Sequence, residues 1–162
     1  MSNRAEMLKR ISDESQRHYA AYTLFNQAMA DRLGLHPTDL QCVALLDLEQ
    51  GPISTGEIAR LAGLTPGSAT RLVDRLDKAG LVVRHADPAD RRRALVALTP
   101  EARARIGSAW DVPGRAFVEM LDQYDDDALA LIADYLERAA SVGRAQAQRL
   151  TTSARVAGDH RD

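Results

Sequence analysis

The chain is poor in the residue types that staple, coordinate or anchor a protein. It has one cysteine, Cys42, so an intrachain disulfide is impossible and a reducing compartment is the simplest setting. Its histidines, His18, His36, His85 and His160, lack ligand-like spacing and supporting cysteines, so no metal site is expected. No apolar run is long enough to span a bilayer and no stretch reads as a signal peptide, so the expected location is the cytoplasm, with no membrane partner. The glycines between Gly63 and Gly67 lack the lysine of a phosphate-binding loop, and no nucleophile with a base or paired-carboxylate site stands out. Asp125-Asp126-Asp127 is better explained as a helix start, where acids complement the dipole, than as a catalytic cluster. Neither an enzyme nor a cofactor is expected.

Aromatic residues make up only 4% of the chain, while Leu, Ala and Arg are abundant, which points to a mainly helical protein. At 162 residues there is room for one core of ordinary size, or two small lobes. The net charge of -2 argues against indiscriminate polyanion binding, but it hides an uneven distribution. Between Gly51 and Pro100, eight bases (Arg60, Arg71, Arg75, Lys78, Arg84, Arg91, Arg92, Arg93) outnumber five acids (Glu57, Asp74, Asp77, Asp87, Asp90), and both flanks are acidic. A basic patch on an acidic body favours phosphate contact at one surface only.

That basic stretch has the strongest local pattern. Ser54 and Glu57 have capping-box spacing, Ile58, Leu61 and Ala62 follow on one face, and Gly63 stops the helix. Thr65-Pro66 starts a second helix about three residues later, which is helix-turn-helix spacing. Ala69, Leu72, Val73 and Leu76 form its inward face, leaving Gly67, Ser68, Thr70, Arg71, Asp74 and Arg75 outward. Small residues followed by arginines suit insertion into a DNA groove; an ordinary solvated surface is the alternative. After the stop at Gly80, Leu81 to His85 and Ala94 to Leu98 read as strands around Asp87-Pro88-Ala89-Asp90-Arg91-Arg92-Arg93. Three adjacent arginines repel one another unless a polyanion is present, and a narrow minor groove would stabilise them; a solvated loop is the bland reading.

The flanks read as helices. Residues 6 to 33 form one about 40 Å long, more than a small domain needs for its own core. Pro37 starts the next, with His36 at the cap and Leu40, Val43, Ala44, Leu45, Leu46 and Leu48 mostly buried. Thr99-Pro100-Glu101 begins another, which Pro113 should kink or interrupt, and a last helix runs to about Leu150 before a disordered tail. The expected divisions are 1–50, 51–99, 100–150 and 151–162. Apolar residues beyond the needs of each lobe imply a subunit interface.

The run Pro66 to Leu76, the segment Lys78-Ala79-Gly80-Leu81-Val82, the loop Asp87 to Arg93 and the exit Leu98-Thr99-Pro100-Glu101 together resemble the MarR family of winged-helix transcription regulators. The match is close over the middle third and rests on length and order elsewhere. The resemblance implies a mainly α fold with a small antiparallel β wing, to which Ile53 adds a short strand. It also implies a two-fold dimer built by the N- and C-terminal helices, reading a pseudo-palindromic operator in double-stranded DNA.

Within that pattern, Ser68, Thr70, Arg71 and Arg75 are assigned to the major groove and its phosphates. Arg92 is assigned to the minor groove, with Arg91 and Arg93 on the backbone or bracing the wing. Asp90 is expected to hold a wing arginine. Asp74 either does the same or pairs with Lys78 one turn on. The resemblance further implies a pocket for a small aromatic or phenolic ligand, which Tyr19, Tyr22, His36 and Trp110 could line unless they are plain core or interface. The expected function is therefore a homodimeric repressor released by such a ligand. Alternatives are a constitutive or thiol-controlled DNA binder, in which Cys42 would be oxidised rather than an inert buried thiol, and a protein-protein adaptor.

Overall fold

The computed structural model describes residues 3–90 and 93–158. In chain order they form α1 (Asn3–Leu33), α2 (Pro37–Leu48), β1 (Ile53–Ser54), α3 (Thr55–Ala62), α4 (Pro66–Lys78), β2 (Val82–Ala86), β3 (Ala94–Leu98), α5 (Pro100–Leu121) and α6 (Asp126–Gly158). This is the mainly helical fold with a small antiparallel sheet that the sequence predicts.

Short-range chemistry sets the helix ends. Ser54 caps α3 by accepting the Glu57 backbone N–H at 3.2 Å. The reciprocal half of the expected capping box is replaced, because the Glu57 carboxylate takes two bonds from the Arg60 guanidinium. A charged two-donor fork one turn away outcompetes a single neutral N–H. Gly63, at φ 66°, ends α3, and the Leu64 N–H reaches back to the Ala59 carbonyl at 2.8 Å. Gly80, at φ 69°, ends α4 in the same way, with the Leu81 N–H on the Leu76 carbonyl at 2.9 Å. Thr65 caps α4 by accepting the Ser68 N–H at 3.2 Å, with Pro66 at its first position.

Helical spacing then decides what is buried. Ala69, Leu72, Val73 and Leu76 of α4 are all inward, as the spacing predicts. They share a core with Leu40, Val43 and Leu46 of α2, Ile58 and Ala59 of α3, and Val96 of β3. Ala44 and Leu48, expected among the mostly buried residues of α2, lie on the opposite side of that helix and are exposed. The three strands pair antiparallel in the order β1-β3-β2, with Ile53 opposite Val96 and Val82 opposite Leu98. As the central strand, β3 buries Val96 and Leu98 and half-buries Leu95 and Ala97, which is why its sequence shows no clean alternation.

Thr99 joins the end of the wing to the end of α4. Its hydroxyl donates to the Gly80 carbonyl at 2.9 Å and accepts the Ala102 N–H at 3.1 Å, which starts α5. The helix runs unbroken through Pro113, where the sequence reading expects a kink or interruption. Proline removes one ladder bond, and the turns on either side carry the helix past it.

The chain divides into two compact units, 1–109 and 110–162. Met29, Ala30 and Leu33 of α1 and Ala102 and Ile106 of α5 are buried in the first unit. Arg103 pairs with Asp47 at 2.5 Å, and Arg105 donates to the Leu33 carbonyl, so the start of α5 is tied to both N-terminal helices.

In the second unit, Asp125 caps α6 by accepting the Ala128 N–H at 2.9 Å. That helix continues to Gly158 instead of giving way to a tail after Leu150. Ala154, Arg155 and Ala157 are strong helix formers, and no proline or glycine intervenes before Gly158. Residues 159–162 of the expected tail lie outside the described residues. Along α1, Met7, Leu8, Ile11, Tyr19 and Leu24 are exposed, as are Leu131, Tyr135, Leu136 and Val142 along α6. Among the described residues, no helix is long and apolar enough to cross a membrane.

Candidate nucleic-acid interface

The outward face of α4 begins with a chain of hydroxyls and ends with arginines. Thr65 Oγ1 donates to Ser68 Oγ at 2.9 Å, and Arg71 Nη2 donates to the same oxygen at 3.2 Å. Thr70 Oγ1 donates back to the Pro66 carbonyl at 3.0 Å, which holds its methyl group and hydroxyl in one rotamer. Thr70, Arg71 and Arg75 are exposed and Ser68 is half-buried. The four α4 residues proposed from sequence therefore lie on one accessible face.

They are not equivalent. Arg75 is gripped by Asp39 of α2, with Nε on Oδ2 at 3.2 Å and Nη2 on Oδ1 at 2.5 Å. That carboxylate bond raises the Arg75 pKa further above its ordinary value. Asp39 is only 7% exposed, whereas the Arg75 side chain is 54% exposed, so the acid is the fixed partner. Next to this pair, a cleft of about 480 Å³ is lined by His36, Thr38, Leu64, Ser68, Arg71 and Leu72.

The wing is held to α4 by a second set of charges. Arg84 on β2 pairs with Asp74, and its Nε reaches Asp77 one turn further along α4 at 3.1 Å. Asp74 therefore turns to the wing strand and not to Lys78. At the hairpin, Asp87 Oδ1 accepts the Ala89 N–H at 2.8 Å in an Asx turn, and Oδ2 lies 4.0 Å from Arg93 Nε. The Asp87 N–H donates to the Arg93 carbonyl, and the Arg93 N–H donates to the Asp90 carbonyl at 2.9 Å, closing the loop. Arg91 and Arg92 lie outside the described residues.

Sequence reasoning missed three participants here. Asp39 reads as an ordinary first-turn acid, since its partner is 36 positions away and no local spacing connects them. Arg84 was legible only as one more base in a basic stretch. The turn role of Asp87 was visible from Asp-Pro, but its approach to Arg93 was not.

Of the residues suggested for a ligand, Tyr19, Tyr22 and His36 belong to the first unit and Trp110 to the second. His36 caps α2, its Nδ1 accepting the Thr38 N–H at 3.3 Å, and faces the cleft beside α4. Tyr19 and Tyr22 are exposed on α1, where the Tyr22 ring sits 6.2 Å from His18 and 6.3 Å from Phe25. Trp110 is half-buried on α5.

Cys42 is buried in α2, one turn from Asp39. Burial, helped by the Asp39 charge, pushes its pKa from 9.0 up to about 11. An unfolded chain releases this proton near pH 9, so the thiol's contribution to stability is intact below that pH and is lost as pH rises through 11. Cys42→Ala should accordingly melt lower at pH 8 yet lose less stability between pH 9 and 11, by roughly 2 to 3 kcal/mol. Thermal melts of both proteins across that window check it, and parallel slopes would contradict it.

Comparison with known proteins points the same way. The sequence pattern of the MarR family matches residues 33–93. The uncharacterized HTH-type transcriptional regulator YcgE of Bacillus subtilis (strain 168) is 38% identical over 127 residues, covering 78% of this chain and 82% of that protein. The crystal structure of the transcriptional regulator BldR from Sulfolobus solfataricus superposes with a TM-score of 0.60 at 26% identity, over 85% of this chain and 99% of that one. A mutant MepR of S. aureus, bound to an oligodeoxyribonucleotide, gives a TM-score of 0.52 over 88% of this chain and 99% of that one. At 15% identity, that last likeness concerns the fold alone.

Proposed function

The chain belongs to the MarR family of transcriptional regulators, and from that premise we propose that it works as a homodimer on a pseudo-palindromic operator. The carrying observation is the outward side of α4, where Arg71 is hydrogen-bonded to Ser68 and Thr70 is exposed, with the wing braced to the same helix through Arg84. Small hydroxyl residues allow close approach to base edges, and Arg71 supplies a donor fork for guanine or phosphate. By their place in the sequence after Asp90, Arg92 is assigned to the minor groove and Arg91 and Arg93 to the backbone or to bracing the wing. Two such heads on one frame read half-sites about a duplex turn apart. The mode of action is repression by occlusion of the promoter, in the cytoplasm.

Selection of duplexes from a random pool, followed by titration in increasing salt, tests this directly. Arg71→Ala should cost about 1 to 3 kcal/mol and change the preferred bases within the half-site. Arg92→Ala should weaken binding and relax the preference for A·T pairs where the wing lies. If both variants bind and select like the parent, the groove assignments are wrong. A protein-protein adaptor would instead show no duplex affinity, and hence no steep fall with salt.

Release by a small aromatic anion completes the proposal, with Tyr19, Tyr22, His36 and Trp110 as the residues offering rings and polar tips. A ligand that favours the DNA-incompetent arrangement needs a coupling of only about 1 to 3 kcal/mol. Phenolic acids that neither shift the melting temperature nor weaken DNA binding would remove this part. Thiol control is the weaker alternative, since a buried Cys42 held protonated to about pH 11 is a poor target for peroxide.

A further inference from the structure

We propose that Asp39 is a positioning residue for sequence reading: it holds Arg75 as a base-edge reader and withholds it from non-specific phosphate binding. This rests on the reading of α4 as the DNA-facing helix.

The geometry of the pair carries the inference. Arg75 uses Nε and Nη2 on the two carboxylate oxygens of Asp39, so one edge of its guanidinium is fully occupied. A planar fork held along one edge can still present its remaining donors, in a fixed direction, along the other. Asp39 is buried in the first turn of α2, while half the Arg75 side chain remains accessible. Arg71, four positions earlier, has no such acid, and its recorded partner is the Ser68 hydroxyl. The two arginines of this face are therefore prepared differently: one is held by a single bond to a hydroxyl and one is clamped by a carboxylate.

Two consequences separate this from simple packing. A clamped arginine has already lost its rotamer freedom, so base contact costs less ordering at the moment of binding. Its charge is also compensated by Asp39, so it adds little to the counterion release that drives sequence-independent binding. Asp39 thus raises the ratio of specific to non-specific affinity from both sides.

Asp39→Asn keeps the shape but removes the charge. With the duplex that the parent selects from a random pool as the specific target, and the unselected pool as the non-specific one, the variant should lose about three- to tenfold in the ratio of affinities. Its non-specific binding should become steeper in salt by about one unit of slope, because the freed Arg75 now releases a counterion. Arg75→Lys, which keeps the charge but cannot occupy both oxygens, should show the same loss of discrimination. In an Arg75→Ala background, Asp39→Asn should leave the ratio unchanged.

Circular dichroism and melts establish that each variant is folded, and Arg75→Gln, which also removes the charge, can take the place of Arg75→Ala in the cycle if the latter fails to fold. The proposal is overturned if Asp39→Asn retains the parent's ratio and salt slope, or if it lowers the ratio equally without Arg75. If the parent selects no sequence at all, the DNA reading itself fails, an outcome distinct from a selective parent with an indifferent Asp39.

Discussion

Leu76→Ala should lower the unfolding free energy by about 3 to 5 kcal/mol and the melting temperature by roughly 10 °C or more. Leu76 is 1% exposed and completes the inward face of α4, so truncation leaves a cavity instead of a solvated gap. Its carbonyl also accepts the Leu81 N–H that turns the chain from α4 into the wing, so loosening this position acts on the link between α4 and the wing. Leu48→Ala is the matched control: Leu48 is 79% exposed, and its loss should change stability by no more than about 0.5 kcal/mol. Parallel thermal and urea melts of the two variants check the contrast. A Leu76→Ala protein that melts within a degree or two of the parent would mean that the buried face of α4 is misassigned.

The contrast also explains which parts of the molecule were legible beforehand. The middle of the chain is written in local rules. Ser54, Thr65-Pro66, Gly63 and Gly80 act within a turn or two of themselves, and the inward face of α4 repeats every three or four residues. Such features survive a reading that knows nothing of tertiary structure. The charge pairs do not, because Asp39 to Arg75 and Arg84 to Asp74 and Asp77 join different elements at separations without any period. For the same reason a composition count treated Arg84 and Arg71 alike, although one braces the wing and the other is accessible on α4. Local rules also overreached where competition decides the outcome. Glu57 turned to Arg60 instead of its capping partner, and Pro113 was absorbed by a long helix.

These pairs change the meaning of the basic patch. Of the bases on α4 and β2, Arg75 and Arg84 are engaged by carboxylates from other turns or elements, so they shape the surface more than they add to its field. The charge open to a polyanion is therefore concentrated in fewer groups than the sequence count implies. Arg71 is the α4 arginine whose recorded partner is uncharged. A discriminating reader benefits from that economy, because every uncompensated cation strengthens binding to all sequences alike.

The second large effect concerns α6. Over its 33 residues, a length of roughly 50 Å, no described side chain is buried, yet Leu131 and Val142 stand 69% and 60% exposed. They are eleven positions apart, close to three whole turns, and so share one stripe with Tyr135 between them. Carboxylates at both sites should cost the single chain almost nothing, since water already reaches them. If a second copy covers the stripe, the same carboxylates must be desolvated on both sides of the interface, and association should collapse. Leu131→Asp/Val142→Asp is therefore expected to sediment as a folded monomer and to bind the selected duplex at least 100-fold more weakly, because each half-site then binds without the effective concentration supplied by its linked partner. Sedimentation and duplex titration on the same preparation check both effects. A variant that stays dimeric and binds like the parent would place the subunit interface elsewhere, whereas a monomer that keeps full affinity would remove the need for paired half-sites.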